Sequence, residues 1–519
     1  MLEKYPWWTE YQKKLADEVE AFALQIAPRA LELVWKREHP ADLVKMVGER
    51  GWFGVLVPEE YGGMGKNGGV TSSAIITEGL TSVGMLGGLF FSTQFGGVKQ
   101  LSTFGTPEQK ERWLTRVARG EVIGALGLTE PFVGSDAAGI KTTAVKDGDE
   151  WVINGKKRFI TNTGVANLYF VYARTSNDPK DIQGRRHLTA FVVERGTPGF
   201  SVERINELAV FDAVRNGTLN FNNVRVPEEN IVGGVGGGWN VMTSGLNFER
   251  LMIAVCMVSA MREALRNALY FTERRVQFGQ RTIDFESNQY KIADMIMRLK
   301  STRLLCYYTA YQEDLGNNPI IEANAAKIMA TELARESAID ALQVCGGDSF
   351  TKYYTVEQLL RDTKINEVGG GTNEVLRRLI VYIYRRLFSA EIPQPRRRIH
   401  KELRIPIPYF ESPGRKAPTS QATTPEAMEK LVLEALSEDY FVNPGLHMKR
   451  EELMDDTGLS EEQLDETLLS LEEKGLVDLW RDRHGVIRLA KATYEGLNKA
   501  KPLDFYRWYP PWSREEERF

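Results

Sequence analysis

Leu128-Thr129-Glu130-Pro131-Phe132-Val133-Gly134-Ser135-Asp136 lies where the chain's periodicity changes from helical to alternating. The stretch packs a Thr hydroxyl, a rigid proline corner and a Gly-Ser-Asp turn into nine residues. Gly134 and Gly139 allow a backbone to approach a ligand closely, as a phosphate-bearing cofactor requires. Upstream, Leu15, Val19, Phe22, Ala23 and Ile26 recur at helical spacing, and Leu43, Val44 and Val47 do so before a stop at Gly51. Thr106-Pro107 starts a further helix with Pro at its first position. Downstream the period is two. Trp151 to Lys157 reads as a hairpin turning at Asn154-Gly155, and Leu168–Ala173, Leu188–Val193 and Leu219–Pro227 read as strands.

From Trp239 the chain is helical again, giving the order helical, β, helical. The expected domains are residues 1–125 (helical), 126–238 (β) and 239–390 (a helical bundle). Residues 391–424 are an extended Pro-, Ser- and Thr-rich arm, 425–500 a small separate unit and 501–519 an aromatic tail. In the small unit, three helical segments (the second stopped by Gly458, the third capped by Ser460) precede a two-stranded wing, a winged-helix-like pattern. Gly233-to-Gly238 joins the β domain to the next helix and lacks the strand, helix and acidic partner of a dinucleotide fingerprint.

With 519 residues, 42% hydrophobic, 26% charged and a net charge of −4, the chain reads as a multidomain, mainly α globular protein with no general basic field for nucleic acid. The apolar runs read as too short and interrupted for a bilayer, and no export signal is seen. Cys256, Cys306 and Cys345 are widely separated, which points to a reducing cytoplasm. The five histidines have no ligand spacing, so no metal is expected. Residues 425–500 hold 18 Asp/Glu and 9 Lys/Arg, and the third helix there carries Glu461, Glu462, Asp465, Glu466, Glu472 and Glu473. That surface repels phosphate, so assembly, a lid or redox-partner docking fits it better than DNA binding.

Five motifs in this order resemble the acyl-CoA dehydrogenase family over about residues 10 to 390. They are Thr129-Glu130-Pro131 with Gly134-Ser135-Asp136, Lys157-to-Asn162, Arg275-to-Gly279, Gln343-to-Gly347 and Gly369-to-Glu374. The resemblance implies the family fold: an N-terminal helical domain, a central β-barrel-like domain and a C-terminal four-helix bundle. It also implies bound FAD. By family position Thr129 donates to the flavin pyrimidine edge, Ser135 meets the pyrophosphate, and Phe159 and Thr161 flank the ring near N5. Many relatives have Trp at position 159. Arg275, Gln277 and Phe278 would grip the adenine-diphosphate half of FAD in a neighbouring subunit, implying a homo-oligomer, either a dimer or a tetramer. Gly346 and Gly347 form a second approach to pyrophosphate. Leu128, Gly134, Glu286 (where relatives carry Gln), Gln343, Thr372 and Glu374 complete the implied cofactor set. Ser349 replaces a common Gly.

The same resemblance implies an acyl-CoA substrate, with Ser135, Phe95, Asn247, Arg250 and Gly371 contacting it. Much of the family carries its catalytic Glu where this chain has Gly370; the isovaleryl-CoA and long-chain types place it before an Arg on an earlier helix, as in Glu249-Arg250. Leu246, Phe248 and Leu251 flank Glu249, so partial desolvation should raise its pKa. The implied reaction has Glu249 abstracting the α-proton while the β-hydride passes to flavin N5, giving a trans-2-enoyl-CoA. The Gly370 N–H and a flavin ribityl hydroxyl would polarise the thioester carbonyl. Electrons then leave through an electron-transferring flavoprotein. An acyl-CoA oxidase, another flavin reaction on the same scaffold and a non-catalytic assembly protein remain as alternatives. Phe90 to Gly97 lines the acyl pocket by family position. Its aromatics suit a short, branched or ring-bearing acyl chain, and Gln94 leaves a polar one open. Phe132 and Val133 add bulk where relatives have small residues.

Overall fold

The computed structural model describes residues 2–84, 86–351, 354–388, 424–442, 447–482 and 484–500. The arm at 391–424, apart from Thr424, and the tail at 501–519 lie outside them. Two compact units divide at residue 387.

The first unit opens with α1 (Glu10–Lys36), started by a Thr9–Gln12 capping box, which buries the Leu15, Val19, Phe22, Ala23, Ile26 stripe. Then come α2 (Ala41–Glu49), α3 (Val70–Thr81), α4 (Leu86–Thr93) and α5 (Lys99–Phe104). Between α4 and α5, Gly96 and Gly97 leave helical geometry, and a Cβ on Gly96 would fall 2.8 Å from the Ala125 nitrogen. Only glycine lets that break cross the first strand so closely. Thr106 caps the next helical stretch, α6 (Pro107–Gln109) to α7 (Thr115–Ala118), with Pro at its first position as expected.

The middle of the unit is an eight-stranded sheet. Its strands are β1 (Gly124–Gly127), β2 (Thr143–Asp147), β3 (Glu150–Thr161), β4 (Leu168–Arg174), β5 (Leu188–Glu194), β6 (Phe200–Ile205), β7 (Asn216–Pro227) and β8 (Ile231–Val232), with α8 (Pro179–Gln183) between β4 and β5. They run in the order β6-β7-β3-β2-β4-β5-β8, with β1 parallel to β4. The hairpin expected at Asn154-Gly155 is not there. Both residues lie inside β3, where the register shifts, and the turn falls earlier, at Gly148-Asp149 between the paired Asp147 and Glu150. Gly155 serves a close approach instead: its φ is +146°, and a Cβ would meet Thr142 Oγ1 at 2.5 Å.

Glycines 233, 234 and 236, all with positive φ, lead into α9 (Gly238–Thr272), so the glycine run is the connection its context indicated. A small hairpin of β9 (Val276–Gln277) and β10 (Gln280–Arg281) precedes α10 (Glu286–Asp314), α11 (Ile320–Cys345), α12 (Val356–Ile365) and α13 (Asn373–Phe388). Contrary to the sequence expectation, α9 is long and apolar enough to cross a bilayer by length and composition; most of its apolar stretch is buried within the protein.

The second unit holds α14 (Pro425–Val442), α15 (Arg450–Thr457), α16 (Glu461–Glu473) and α17 (Tyr494–Ala500). Its antiparallel sheet consists of β11 (Met448–Lys449), β13 (Ile487–Ala492) and β12 (Val477–Arg481), in that order. Gly458 (φ +68°) and the Ser460 capping box bound α15 and α16. Leu433, Leu436, Leu453, Leu464, Leu468 and Ile487 give this unit its own core.

In the first unit, one dry carboxylate ties three helices. Glu78 on α3 accepts from Arg303 Nε at 3.0 and 3.1 Å and from the Tyr307 hydroxyl at 2.6 Å, both on α10, and from Arg262 on α9 at 3.1 Å. Burial pushes this carboxyl's pKa up, but Arg303 and Arg262 outweigh it and hold the pKa below the ordinary value. Glu78→Gln leaves both guanidiniums without their counter-charge. The expected loss is about 3–5 kcal/mol in urea denaturation, and an unchanged midpoint would show that the three-helix contact does not depend on the charge.

Candidate functional site

The site starts where β3 bulges. Register shifts between Lys157 and Ile160, and Phe159 and Asn162 take φ values of +60° and +65°. The bulge turns the Phe159 ring outward, 51% exposed, with the Arg158 guanidinium 4.6 Å from its centre. A left-handed conformation at a bulky residue is strained, and such strain gathers where function requires it. The adjoining Leu128–Asp136 loop is pinned to the same strand. Arg158 N donates to Thr129 O at 2.8 Å, and Lys157 Nζ donates to Leu128 O at 3.1 Å and to Glu130 at 2.8 Å. Glu130 also accepts from the Lys141 and Thr142 amides. Lys157 is fully enclosed, and burial pushes its pKa down to about 8 against the pull of Glu130.

The result is a fixed loop with open chemistry. The hydroxyls of Thr129, Ser135 and Thr161 have no hydrogen-bond partner among the described residues. A Cβ on Gly134 would meet nothing within 4 Å, so the chain's own packing does not require glycine there. An exposed aromatic face, unspent hydroxyls and a glycine with open space beside it fit a flat ring joined to phosphates. Pro131 and Phe132 are the central residues of a turn closed by Glu130 and Val133, which sends Phe132 into solvent, 97% exposed. Only Val133 of that pair is partly covered.

The second half of the site is the carboxylate. Glu249 sits on α9, half-buried, where burial pushes its pKa up to about 7 although Arg250 and Lys327 pull it down. The Arg250 Nε donates to Gly370 O at 3.1 Å. Lys327, on α11, donates to Gly371 O at 3.0 Å and to Asn373 at 2.9 Å, and Asn373 is held in turn by Thr331 and Glu332. These bonds fix the Gly369–Thr372 turn, in which Gly370 and Gly371 have φ of +68° and +95°. The Gly370 N–H has no acceptor among the described residues. A Cβ on Gly370 would lie 3.8 Å from Glu249 Cδ. The α9 carboxyl therefore stands beside residue 370 itself.

Glu249, Arg250, Gly370 and Gly371 thus come together, while Leu128, Thr129, Gly134 and Ser135 lie on the loop pinned to β3, the strand that carries Phe159 and Thr161. Phe95 is buried beside α9, and Asn247 pairs with Asn318 at the rim. Thr372 caps α13 through the Val375 amide, and Glu374 is exposed on its first turn. Arg275, Gln277 and Phe278 stand far off, exposed on the β9–β10 hairpin, with Phe278 94% exposed. From Glu249 to the end of α9 at Thr272 the helix rises about 35 Å, and Arg275 lies beyond that end. Glu286 begins α10 and bonds Tyr290. Gln343, Gly346 and Gly347 lie exposed at the end of α11, and neither glycine's Cβ position meets anything within 4 Å. Ser349 turns inward to cap that end through Leu342 O and Gly346 O.

Sequence reading missed Lys327 and the Glu130–Lys157 pair. Lys327 was visible as the one cation in Ala323-Asn324-Ala325-Ala326-Lys327-Ile328-Met329-Ala330, a place where a charge needs a partner. Gln94 donates to Phe53 O at 3.0 Å, so its amide nitrogen is already committed.

Comparison with known proteins matches this arrangement along the whole first unit. The acyl-CoA dehydrogenase N-terminal, middle and C-terminal domain models match residues 9–121, 125–224 and 236–383. The chain is 36% identical over 374 residues to an acyl-CoA dehydrogenase of Bacillus subtilis, covering 72% of this chain and 97% of that one. It is 38% identical over 372 residues to the cyclohex-1-ene-1-carbonyl-CoA dehydrogenase of Geobacter metallireducens, covering 71% and 96%. The structure of butyryl-CoA dehydrogenase from Megasphaera elsdenii superposes with a TM-score of 0.70 at 31% identity, covering 73% of this chain and 99% of that one. The chain belongs to the acyl-CoA dehydrogenase family, and it is a flavin-dependent enzyme of acyl-CoA dehydrogenation.

Lys157→Met strands Glu130 in a dry site. We expect a loss of about 3 kcal/mol and lower flavin content after purification. Unchanged stability together with full flavin content would show that the loop holds its place without the pair.

Proposed function

We propose that the chain binds FAD on the face formed by Thr129, Ser135, Phe159 and Thr161 and dehydrogenates an acyl-CoA between Cα and Cβ, with Glu249 as base. The observation that carries this is the Glu249 carboxyl beside Gly370, its pKa raised to about 7 by burial. The bound flavin supplies the acceptor for the hydride leaving Cβ. Glu249 takes the α-proton, and the free Gly370 N–H meets the thioester oxygen as negative charge builds there. Arg250 and Lys327 hold the glycine turn by its carbonyls, which aims that N–H without consuming it. Arg250, Asn247, Gly371, Ser135 and Phe95 line the approach of the thioester. The product is a trans-2-enoyl-CoA, and the electrons pass to an electron-transferring flavoprotein. Buried Phe90 and Phe95 suit a short, branched or ring-bearing acyl chain, as does the likeness to an enzyme named for a cyclic substrate.

Glu249→Gln should keep yellow, flavin-loaded protein while dehydrogenation falls by orders of magnitude. Near wild-type turnover in that variant would end the assignment. A base works deprotonated, so kcat/KM should rise with pH through about 7 and level off above it.

Arg275, Gln277 and Phe278 lie beyond the far end of α9, about 35 Å of helix from Glu249, well away from this chain's own carboxylate. We read them as completing the site of a neighbouring copy, together with Glu286, Gln343, Gly346 and Gly347; Leu128, Gly134, Thr372 and Glu374 complete the set. Exposed Tyr290, Met297, Leu304 and Tyr308 on α10 and Val381 and Tyr382 on α13 offer apolar surface for such an assembly. The three cysteines are free and buried, in keeping with a reducing cytoplasm. Residues 425–500 read as a winged-helix-like scaffold for protein contacts. On α16, Glu461 and Asp465 are spent on Arg450 and Glu472 on Arg481, and Glu462, Glu466 and Glu473 would oppose phosphate. Sedimentation of the full chain should show a dimer or tetramer, and the same preparation should not shift duplex DNA at low salt. A monomer, or a salt-sensitive shift, would overturn the corresponding reading.

A further inference from the structure

Where β4 faces α5 and α9, three buried polar atoms lack a hydrogen-bond partner among the described residues: the Tyr172 hydroxyl and both ends of the Gln100 amide. Both side chains are fully buried. Tyr172 follows Phe170 on the helix-facing side of β4, their rings 5.7 Å apart. Gln100 comes from α5. The two lie near enough for the amide to act on the hydroxyl, yet they do not reach bonding geometry. Gly245 stands opposite: a Cβ there would fall 2.6 Å from Gln100 Nε2 and 3.2 Å from the Phe95 ring. Glu249 follows one turn later, so the amide, the Phe95 ring and the base meet the same face of α9. The charge of Glu249 reaches the Tyr172 hydroxyl as well.

Unpaired hydroxyl and amide groups in a dry interior are costly, and Phe and Leu would fill the same space without that cost. Their presence one turn from the base calls for a partner that arrives with the substrate. We propose that Tyr172 and Gln100 receive a neutral hydrogen-bonding oxygen, a hydroxyl or a carbonyl, carried by the acyl group beyond its β-carbon. The inference rests on the dehydrogenase reading of Glu249 and names the substrate class of that same site. The chemistry selects a neutral group. Neither side chain is bonded to a cation, and the nearby Glu249 carboxylate disfavours a second one. A phenol donates and an amide both donates and accepts, so a hydroxyl is satisfied in both directions. Gln100, rather than the Gln94 that stands out in the sequence, is the amide facing α9.

The test compares matched thioesters on the flavin-loaded enzyme: butyryl-CoA against 4-hydroxybutyryl-CoA, and pentanoyl-CoA against 5-hydroxypentanoyl-CoA. The hydroxylated member should be favoured in kcat/KM by about tenfold or more in at least one pair. In Tyr172→Phe and in Gln100→Leu that ratio should collapse by a similar factor. The thermal midpoint of each substrate-free variant should stay level or rise, because an unpaired polar atom has been removed. Preference for the hydrocarbon in both pairs, an unchanged ratio in the variants, or a lowered midpoint overturns the proposal. Failure of all four thioesters to bleach a flavin that a branched or cyclic acyl-CoA does bleach overturns the polar subsite, whereas failure of every acyl-CoA, those included, overturns the dehydrogenase reading and this one with it. Bleaching by the hydrocarbons alone overturns only the polar subsite.

Discussion

The carboxylate of Glu78 is the point on which the helical part of the first unit hangs. It is fully enclosed, and everything that satisfies it comes from other helices: Arg262 from α9, Arg303 and Tyr307 from α10. The aromatic rings of Tyr5, Trp8 and Tyr307 lie around the Arg303 guanidinium, 4.5–5.8 Å from its centre. Two cations and one anion in a dry place have few alternative arrangements, so the node fixes the rotation of α9 as well as its position. Rotation is what matters for chemistry. It sets Gly245 and Glu249, one turn apart, toward the same side of the helix.

The same economy recurs at smaller scale. Each half of the site is held by a buried lysine whose partners are mostly backbone carbonyls or a carboxylate that itself holds backbone. Lys157 and Glu130 fasten the Leu128–Asp136 loop to β3, and Lys327 fastens the Gly370 turn to α11. In both places a charged side chain organises peptide groups and leaves the reactive ones unspent. The hydroxyls of Thr129 and Thr161 and the Gly370 N–H remain available because other groups do the structural bonding.

Much of this was legible in the sequence. The stripe in α1, the Thr106-Pro107 start, the Ser460 cap and the motifs from Thr129 to Glu374 depend on local spacing, which sequence displays directly. Where reading failed, tertiary contact had decided. Asn154-Gly155 has the chemistry of a tight turn, yet a close pass by Thr142 uses the glycine for a bulge inside a strand. α9 is as apolar as a membrane span because neighbouring helices surround it. Lys327, Gln100 and Tyr172 stand in segments remote from one another in sequence, and no local pattern shows that they converge near one carboxylate.

The position of that carboxylate has a further meaning. A Cβ at residue 370 would come within 3.8 Å of the Glu249 carboxyl carbon, although 120 residues separate the two positions. On the proposed reading, what the site needs is a proton acceptor at a point in space, reachable from either of two segments remote in the chain. A chain bearing a Glu at both positions would keep an acid at that point while either one is lost. Descent among such enzymes need not follow the address of the catalytic residue.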